Sequence, residues 1–285
     1  VALSDCHCQP FLVSWGGKKR KTPIDQKKEP GDPGLVRVLV GCESSGAVRS
    51  AFRALGHDAW SCDLLAADDG SEFHYQCDVL SPLVIGQAWD LGIFHPPCTY
   101  LCSSGLHWNK RVEGRAALTE ASLVFVRTLL GLDIPHIALE NPVGCISTRI
   151  RKPDCIIQPW QFGHPESKTT CLWLKNLPPL VPTNVLAKPA SGRWDNMTPS
   201  GQNKLGPSAD RWKERSKTYE GIALAMAAQW SAHCLSSMPS SVPSVTAVES
   251  PSASSATSTT PTAPTLDLTP RKTEPEQLGL FDSKS

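Results

Sequence analysis

The sequence predicts an α/β fold built on a parallel sheet, and three observations predict it. Short apolar runs rich in β-branched residues recur through the middle of the chain, as buried parallel strands do. Helical patterns and turns containing Gly or Pro lie between them. Successive runs also stop at residues with chemistry to offer, namely Asp63, Asp78, Cys98 and Glu140. Open α/β sheets hold their ligands outside the carboxyl ends of the strands, so a site is expected where these residues meet.

The first strand spans residues 35–40, with Leu35, Val36, Val38, Leu39 and Val40. It enters a turn of Gly41, Cys42, Glu43, Ser44, Ser45 and Gly46, followed by Val48, Phe52 and Leu55 at helical spacing and Gly56 as a stop. Strand, Gly-rich turn and helix form the first unit of a nucleotide-binding α/β fold. The turn lets backbone approach a ligand, and the helix amino terminus orients its polar groups. A second strand over 57–62 ends at Asp63. That acid lies about twenty residues past the turn, where such folds bind ribose hydroxyls. A carboxylate can accept from two adjacent hydroxyls together. A third unit ends at Asp78, which could accept from an adenine amino group. For each acid, a turn or helix cap is the structural alternative.

The fourth strand carries Leu91, Ile93 and Phe94 and stops at Pro96 and Pro97. Both prolines fix φ and give no ladder N–H, so Cys98 sits on a stiff turn beyond a strand end. A thiol held there is a candidate nucleophile; an inert buried cysteine is the alternative. A loop with Ser103, Ser104, Gly105 and Trp108 leads to a helix over about 113–130, with Ala117, Ala121, Val124 and Leu129 as its apolar face. The fifth strand, 136–139, ends at Glu140, Asn141 and Pro142. If the fourth and fifth strands are neighbours, Cys98 and Glu140 face one small pocket.

Residues 155–163 and 168–174 alternate like a β-hairpin, with Lys168 and Thr169 on its loop side. Residues 183–215 are polar and carry Arg193, Trp194, Lys204, Arg211, Trp212, Lys213 and Arg215. Cations interleaved with tryptophans suit a phosphate backbone and stacked bases, with a solvated loop as the alternative. A last amphipathic helix, about 219–233, presents Ile222, Ala225, Met226 and Trp230. The folded domain is thus expected to span 35–235.

The flanks have a different composition. Residues 1–34 form a basic arm with Lys18, Lys19, Arg20, Lys21, Lys27 and Lys28, expected to be poorly ordered and either solvated or in contact with phosphates. Cys6, His7 and Cys8 have no second ligand pair at metal spacing, so no metal is expected. Residues 236–276 are rich in Ser, Thr and Pro and bury too little surface to order, so a disordered linker is expected. Gln277, Leu278, Gly279, Leu280 and Phe281 then return apolar anchors at the end of the tether. This segment, 277–281, resembles the Gln-Leu-x-Leu-Phe peptide by which bacterial and phage proteins bind the DNA polymerase sliding clamp; Gln277, Leu278, Leu280 and Phe281 match it.

The 285 residues carry a net charge of +1, so a nucleic-acid partner would have to be held by a local patch. The apolar piece Phe11, Leu12 and Val13 is far too short for a secretory core or a membrane span. With 11 scattered cysteines, a reduced intracellular protein is expected. The clamp-peptide resemblance implies the cytoplasm of a bacterial or phage-infected cell, and a monomer is expected.

Over residues 35–233 the chain resembles the cytosine-C5 DNA methyltransferase family, and in particular its compact phage and prophage versions. Pro96, Pro97 and Cys98 look like the nucleophile motif, and Glu140, Asn141 and Pro142 like the acid motif, in that order after a Gly-rich turn. The resemblance implies a Rossmann-like S-adenosylmethionine-dependent methyltransferase fold. It implies that Gly41 to Gly46, with Asp63 and Asp78, hold the cofactor, with Pro96 beside it. It implies DNA as substrate, with Ser103, Arg193, Trp194, Arg211, Lys213 and Arg215 as the candidate contacts. Residues 218–223 look like the start of the family's final helix, which packs beside the cofactor.

The chain also departs from the pattern. The family's cofactor turn usually opens with Phe and paired glycines. Its Gln-x-Arg-x-Arg segment is not visible; Gln158, Gln161 and Lys168 occupy that neighbourhood, and Lys168 is the candidate cation. Little more than 183–215 remains for target recognition.

The implied chemistry suits these residue types. A Cys98 thiolate adds to C6 of cytosine and pushes electron density to C5, which takes the methyl group. A base then removes the C5 proton and the thiol leaves. Glu140 hydrogen-bonds or protonates ring N3. The base has to be flipped out or already single-stranded. A nearby cation or helix amino terminus would favour the thiolate, with His95 and Lys168 as candidates. Three other readings remain open: a different pyrimidine C5 modification or action on RNA, a non-catalytic DNA- or clamp-binding protein, and a thiol hydrolase.

Overall fold

A computed structural model of the chain describes residues 34–200, 203–206, 208 and 211–237, apart from the side chains of Trp212 and Lys213. Residues 1–33 of the basic arm, the linker beyond Ser237 and the peptide 277–281 lie outside the described residues.

Seven strands form one sheet: β1 Arg37–Gly41, β2 Asp58–Asp63, β3 His74–Gln76, β4 Leu91–Phe94, β5 His136–Pro142, β6 Cys155–Ile157 and β7 Thr170–Lys175. Their order is β3-β2-β1-β4-β5-β7-β6. The pairs from β3 through to β5 are parallel, and β7 runs antiparallel to both β5 and β6. The helices are α1 Ala47–Ala54, α2 Pro82–Ile85, α3 Ser103–Leu106, α4 Arg115–Leu130, α5 Ile146–Arg149, α6 Arg211–Ser216 and α7 Glu220–Ser237. This is an α/β, Rossmann-like fold, as the sequence predicts. Among the described residues, no helix is long and apolar enough to cross a membrane.

The strands are apolar on both faces because both faces are covered. Val38 and Val40 of β1 pack with Val48 and Phe52 of α1 and with Ile222, Met226 and Trp230 of α7. Leu39, between those valines, joins Trp60, Phe94, Leu123, Leu129 and Trp173 on the opposite face. The inward face of α4 differs from the expected one. Thr119, Leu123, Val126 and Leu129 are buried, whereas Val124 is exposed. Apolar residues surround this helix, so periodicity alone does not select a face. Thr119 explains the choice made: its hydroxyl donates to the Tyr100 carbonyl at 3.0 Å, just past Cys98.

Chain building proceeds outward from β1 through β2 to β3, then resumes on the other side of β1 with β4 and β5. The switch point therefore lies between β1 and β4, where ligands of open α/β sheets bind. Strand β7 opposes Pro142 with Thr170 and Glu140 with Leu172. This register brings the loop that carries Lys168 to the carboxyl end of β5.

Candidate active site

The turn after β1 is shaped by its packing. A Cβ at Gly41 would meet the Phe94 ring at 2.6 Å, so a side chain there would disturb the floor between β1 and β4. Cys42 follows at φ 59, and Gly46 ends the turn at φ 70. Glu43 points back to the helix that follows the turn. Its buried carboxylate accepts from the amides of Val48 at 2.8 Å and Arg49 at 3.4 Å, and so caps α1. An acid suits the positive end of a helix. Buried Arg49 reaches from α1 to the Ser61 hydroxyl at 2.8 Å and pairs with Asp69, tying the loop after β2 to the turn.

Asp63 and Asp78 stand at the ends of the β2 and β3 units. Each turns one oxygen back to a local amide, Asp63 to Leu65 and Asp78 to Leu80, both at 2.9 Å. Both carboxylates also act on Cys42. Burial, reinforced by these acids, pushes its thiol up to about 12. The turn and the two acids therefore bound one region. A cleft of about 330 Å³ lined by Ser45, Ala47, Asp68, Asp69, Lys217 and Thr218 adjoins the turn at Ser45. The carboxylates retain acceptor capacity for hydroxyl or amino groups. Polar acceptors beside a Gly-rich turn and an apolar floor fit a nucleoside-containing cofactor.

Cys98 and Glu140 meet on the other side of the switch point. β4 and β5 are adjacent and parallel, with Phe94 opposite Leu139. The expected turn at Glu140, Asn141 and Pro142 is instead the last part of β5, which pairing with β7 extends to Pro142. From there buried Asn141 donates from Nδ2 to the Pro96 carbonyl at 2.8 Å, joining the acid segment to the cysteine turn. They also approach at Gly144, where a Cβ would collide with the Leu101 carbonyl oxygen. The Cys145 amide donates to that carbonyl at 2.9 Å, and the Ser103 amide donates to the Val143 carbonyl at 3.0 Å. The nucleophile turn is thus stitched to the acid segment on both sides of Cys98. Buried Pro96 belongs to this junction, while Pro97 is exposed.

Electrostatics divide the thiols. A hydrogen bond to Cys102, burial and the Glu140 charge push the Cys98 thiol up, and Lys168 pulls it partly back. Cys102 is lowered to about 5, first by the bond from Cys98, then against burial by Ser104 and the backbone amides of Gly105 and Cys102. Glu140 is raised by burial, but His95, Lys168 and Thr170 outweigh this and hold it below the usual carboxylate range. Of the two cation candidates, Lys168 acts on Cys98, whereas His95 faces Glu140, its Nδ1 lying 3.1 Å from Oε2.

Sequence reasoning missed the frame around Lys168. Gln158 accepts the Lys168 amide at 3.1 Å and donates to the Thr169 hydroxyl at 2.7 Å. Asn196 accepts the Ser167 amide at 3.0 Å and donates to the Ser167 carbonyl at 2.9 Å. Tyr219, just before α7, donates to Glu166 at 2.5 Å, and the Gly221 amide donates to His164 Nε2 at 2.9 Å. The Lys168 ammonium lies 5.9 Å from the Tyr219 ring centroid. His164, Glu166 and Lys168 alternate along one short loop, and that spacing was the available signal.

The expected DNA contacts differ in exposure. Ser103 is exposed beside the nucleophile turn, Arg193 and Arg215 are exposed, and Arg211 is half-buried. Trp194, expected to stack on bases, is only 9% exposed. Its ring stacks on Trp160 with centroids 5.7 Å apart, so it closes the domain and is not presented to a nucleic acid. The Lys213 side chain lies outside the described residues. No grouping of His, Cys, Asp and Glu among the described residues could hold a metal ion.

No family model and no curated protein matches the chain. Among solved structures it is similar to a crystal structure of an E. coli protein described as a candidate DNA modification methyltransferase encoded within a prophage. The two share 15% sequence identity with a TM-score of 0.39, over 55% of this chain and 53% of that one. The chain thus spans about half the length of that neighbour. At this degree of likeness, the fold assignment rests on the sheet order and register.

Proposed function

We propose that the chain is an S-adenosylmethionine-dependent DNA methyltransferase that modifies C5 of cytosine through a covalent adduct at Cys98. The observation that carries this reading is the Asn141–Pro96 bond, which joins a cysteine turn and an acid segment beside a cofactor-type turn. A thiol and a carboxyl group fixed on opposite segments match the needs of a ring that must be attacked at C6 and stabilised at N3.

The cofactor would be held by the backbone of the 41–46 turn, with Asp63 toward ribose and Asp78 toward adenine. S-adenosylmethionine, when bound, supplies the sulfonium methyl that the activated C5 takes. Cys98 loses its proton before it adds, and the Lys168 cation favours the anion that forms. That proton passes to solvent. Glu140, which takes a proton from solvent as the base binds, donates to ring N3 and offsets the charge that gathers there as sulfur adds. When the C5 proton has left, Cys98 departs and the ring is restored. Ser103, beside the nucleophile turn, together with Arg193, Arg211, Lys213 and Arg215, would contact DNA. The peptide 277–281 would tether the enzyme to a sliding clamp, and loss of clamp binding in Leu280→Ala/Phe281→Ala would be its signature.

Transfer of label from S-adenosylmethionine to DNA tests the reading. The wild-type protein is expected to transfer and Cys98→Ala is not. Full activity in that variant would reject the mechanism. The mass of the modified base, compared on DNA and RNA, separates methylcytosine from other C5 products.

A further inference from the structure

His95 lies between the end of β4 and the two prolines. Its amide donates to the Gly41 carbonyl at 3.0 Å and prolongs the β1–β4 ladder, so the sheet positions its ring. Nδ1 lies 3.1 Å from Glu140 Oε2, with the two side chains 9% and 14% exposed. A carboxylate only accepts, so Nδ1 carries the proton and donates. Nε2 is buried and has no hydrogen-bond partner among the described residues. Among the described residues, the ring's one fixed polar contact is therefore the bond from Nδ1 to Glu140. The other groups facing Glu140 are the Lys168 ammonium, the Thr170 hydroxyl, and the thiols of Cys98 and Cys171. Lys168 arrives on a long, rotatable stem, whereas the His95 ring is a short, rigid donor.

Resting on the function proposed above, we propose that His95 is a positioning residue. Its Nδ1–H fixes the orientation and charge state of the Glu140 carboxylate before a base arrives. With this donor in place, Glu140 waits as an anion and takes a proton only in the company of a ring nitrogen. Without it, the anion loses a hydrogen bond, and Glu140 binds a proton from solvent at higher pH.

The test uses the full chain and two variants, His95→Phe and His95→Asn. Carboxyl ¹³C NMR follows Glu140 without DNA or cofactor, with the signal assigned through Glu140→Gln. In His95→Phe the Glu140 midpoint is expected to rise by about one pH unit or more. In His95→Asn, whose amide donates from a similar position, it should stay near the wild-type value. The Glu140-dependent limb of the kcat/KM profile for methyl transfer should move with it. Circular dichroism confirms folding, and His95→Leu, equally unable to donate, carries the same expectation if the Phe variant does not fold. An unchanged Glu140 midpoint in a folded variant that cannot donate would overturn the proposal. Absence of transfer by the wild-type protein would instead remove the assigned reaction, while the NMR titration still decides the His95–Glu140 relation.

Discussion

Asn141 Nδ2 donates a 2.8 Å hydrogen bond to the Pro96 carbonyl, so the acid segment holds the cysteine turn in place. Asn141 is 1% exposed, and its Oδ1 has no partner among the described residues. Asn141→Ala should leave the Pro96 carbonyl unpaired and cost about 1–3 kcal/mol in urea unfolding. It should also cost about 100-fold in kcat, the scale expected when a reacting group shifts by roughly 1 Å. A variant with wild-type stability and rate would show that the two segments are held by other means.

The two thiols should react in a defined order. The Cys102 thiol is lowered to about 5 and that of Cys98 is raised, so iodoacetamide at neutral pH should alkylate Cys102 first. Peptide mapping over time should show Cys98 labelled after Cys102. Early labelling of Cys98 in the free protein would contradict the division of charge between them.

Lys168 and Glu140 make a pH-dependent contribution to stability. The folded-state pKa of Glu140 lies below its ordinary value. Its contribution is therefore present above the unfolded carboxylate pKa of about 4.3 and is lost as pH falls through the folded value. Lys168→Met should destabilise the protein by about 0.2–1 kcal/mol near neutrality. The gap from wild type should narrow as Glu140 becomes protonated in both folded proteins. Urea titrations at neutral and strongly acidic pH check this; an equal gap at both would show that Lys168 stabilises by packing alone.

The strands that bear chemistry were the legible part of the chain. β1, β4 and β5 are continuous apolar runs because both of their faces are buried, and their ends are marked by Gly41, Pro96 and Pro142. The placement of β7 between β5 and β6 was not legible, since local alternation reports a strand but not its second neighbour. That placement is what brings Lys168 to Glu140. Glu43 was expected at a ligand and caps α1 because the helix amides are its nearest donors. Trp194 was expected on a nucleic-acid surface, but its partner Trp160 lies far from it in sequence. The pairing of His95 with Glu140 depends on the register of two strands, which no local pattern contains.

The central claim is that Cys98 forms a covalent bond to C6 of cytosine. Duplexes of mixed sequence with 5-fluorocytosine in place of cytosine test it, because fluorine at C5 blocks the elimination that releases the enzyme. Incubation with S-adenosylmethionine should yield a denaturation-resistant protein–DNA complex whose peptide map ends at Cys98, with no complex from Cys98→Ala. Failure of the wild-type protein to form the complex on DNA it methylates, or an adduct in Cys98→Ala, would contradict the account.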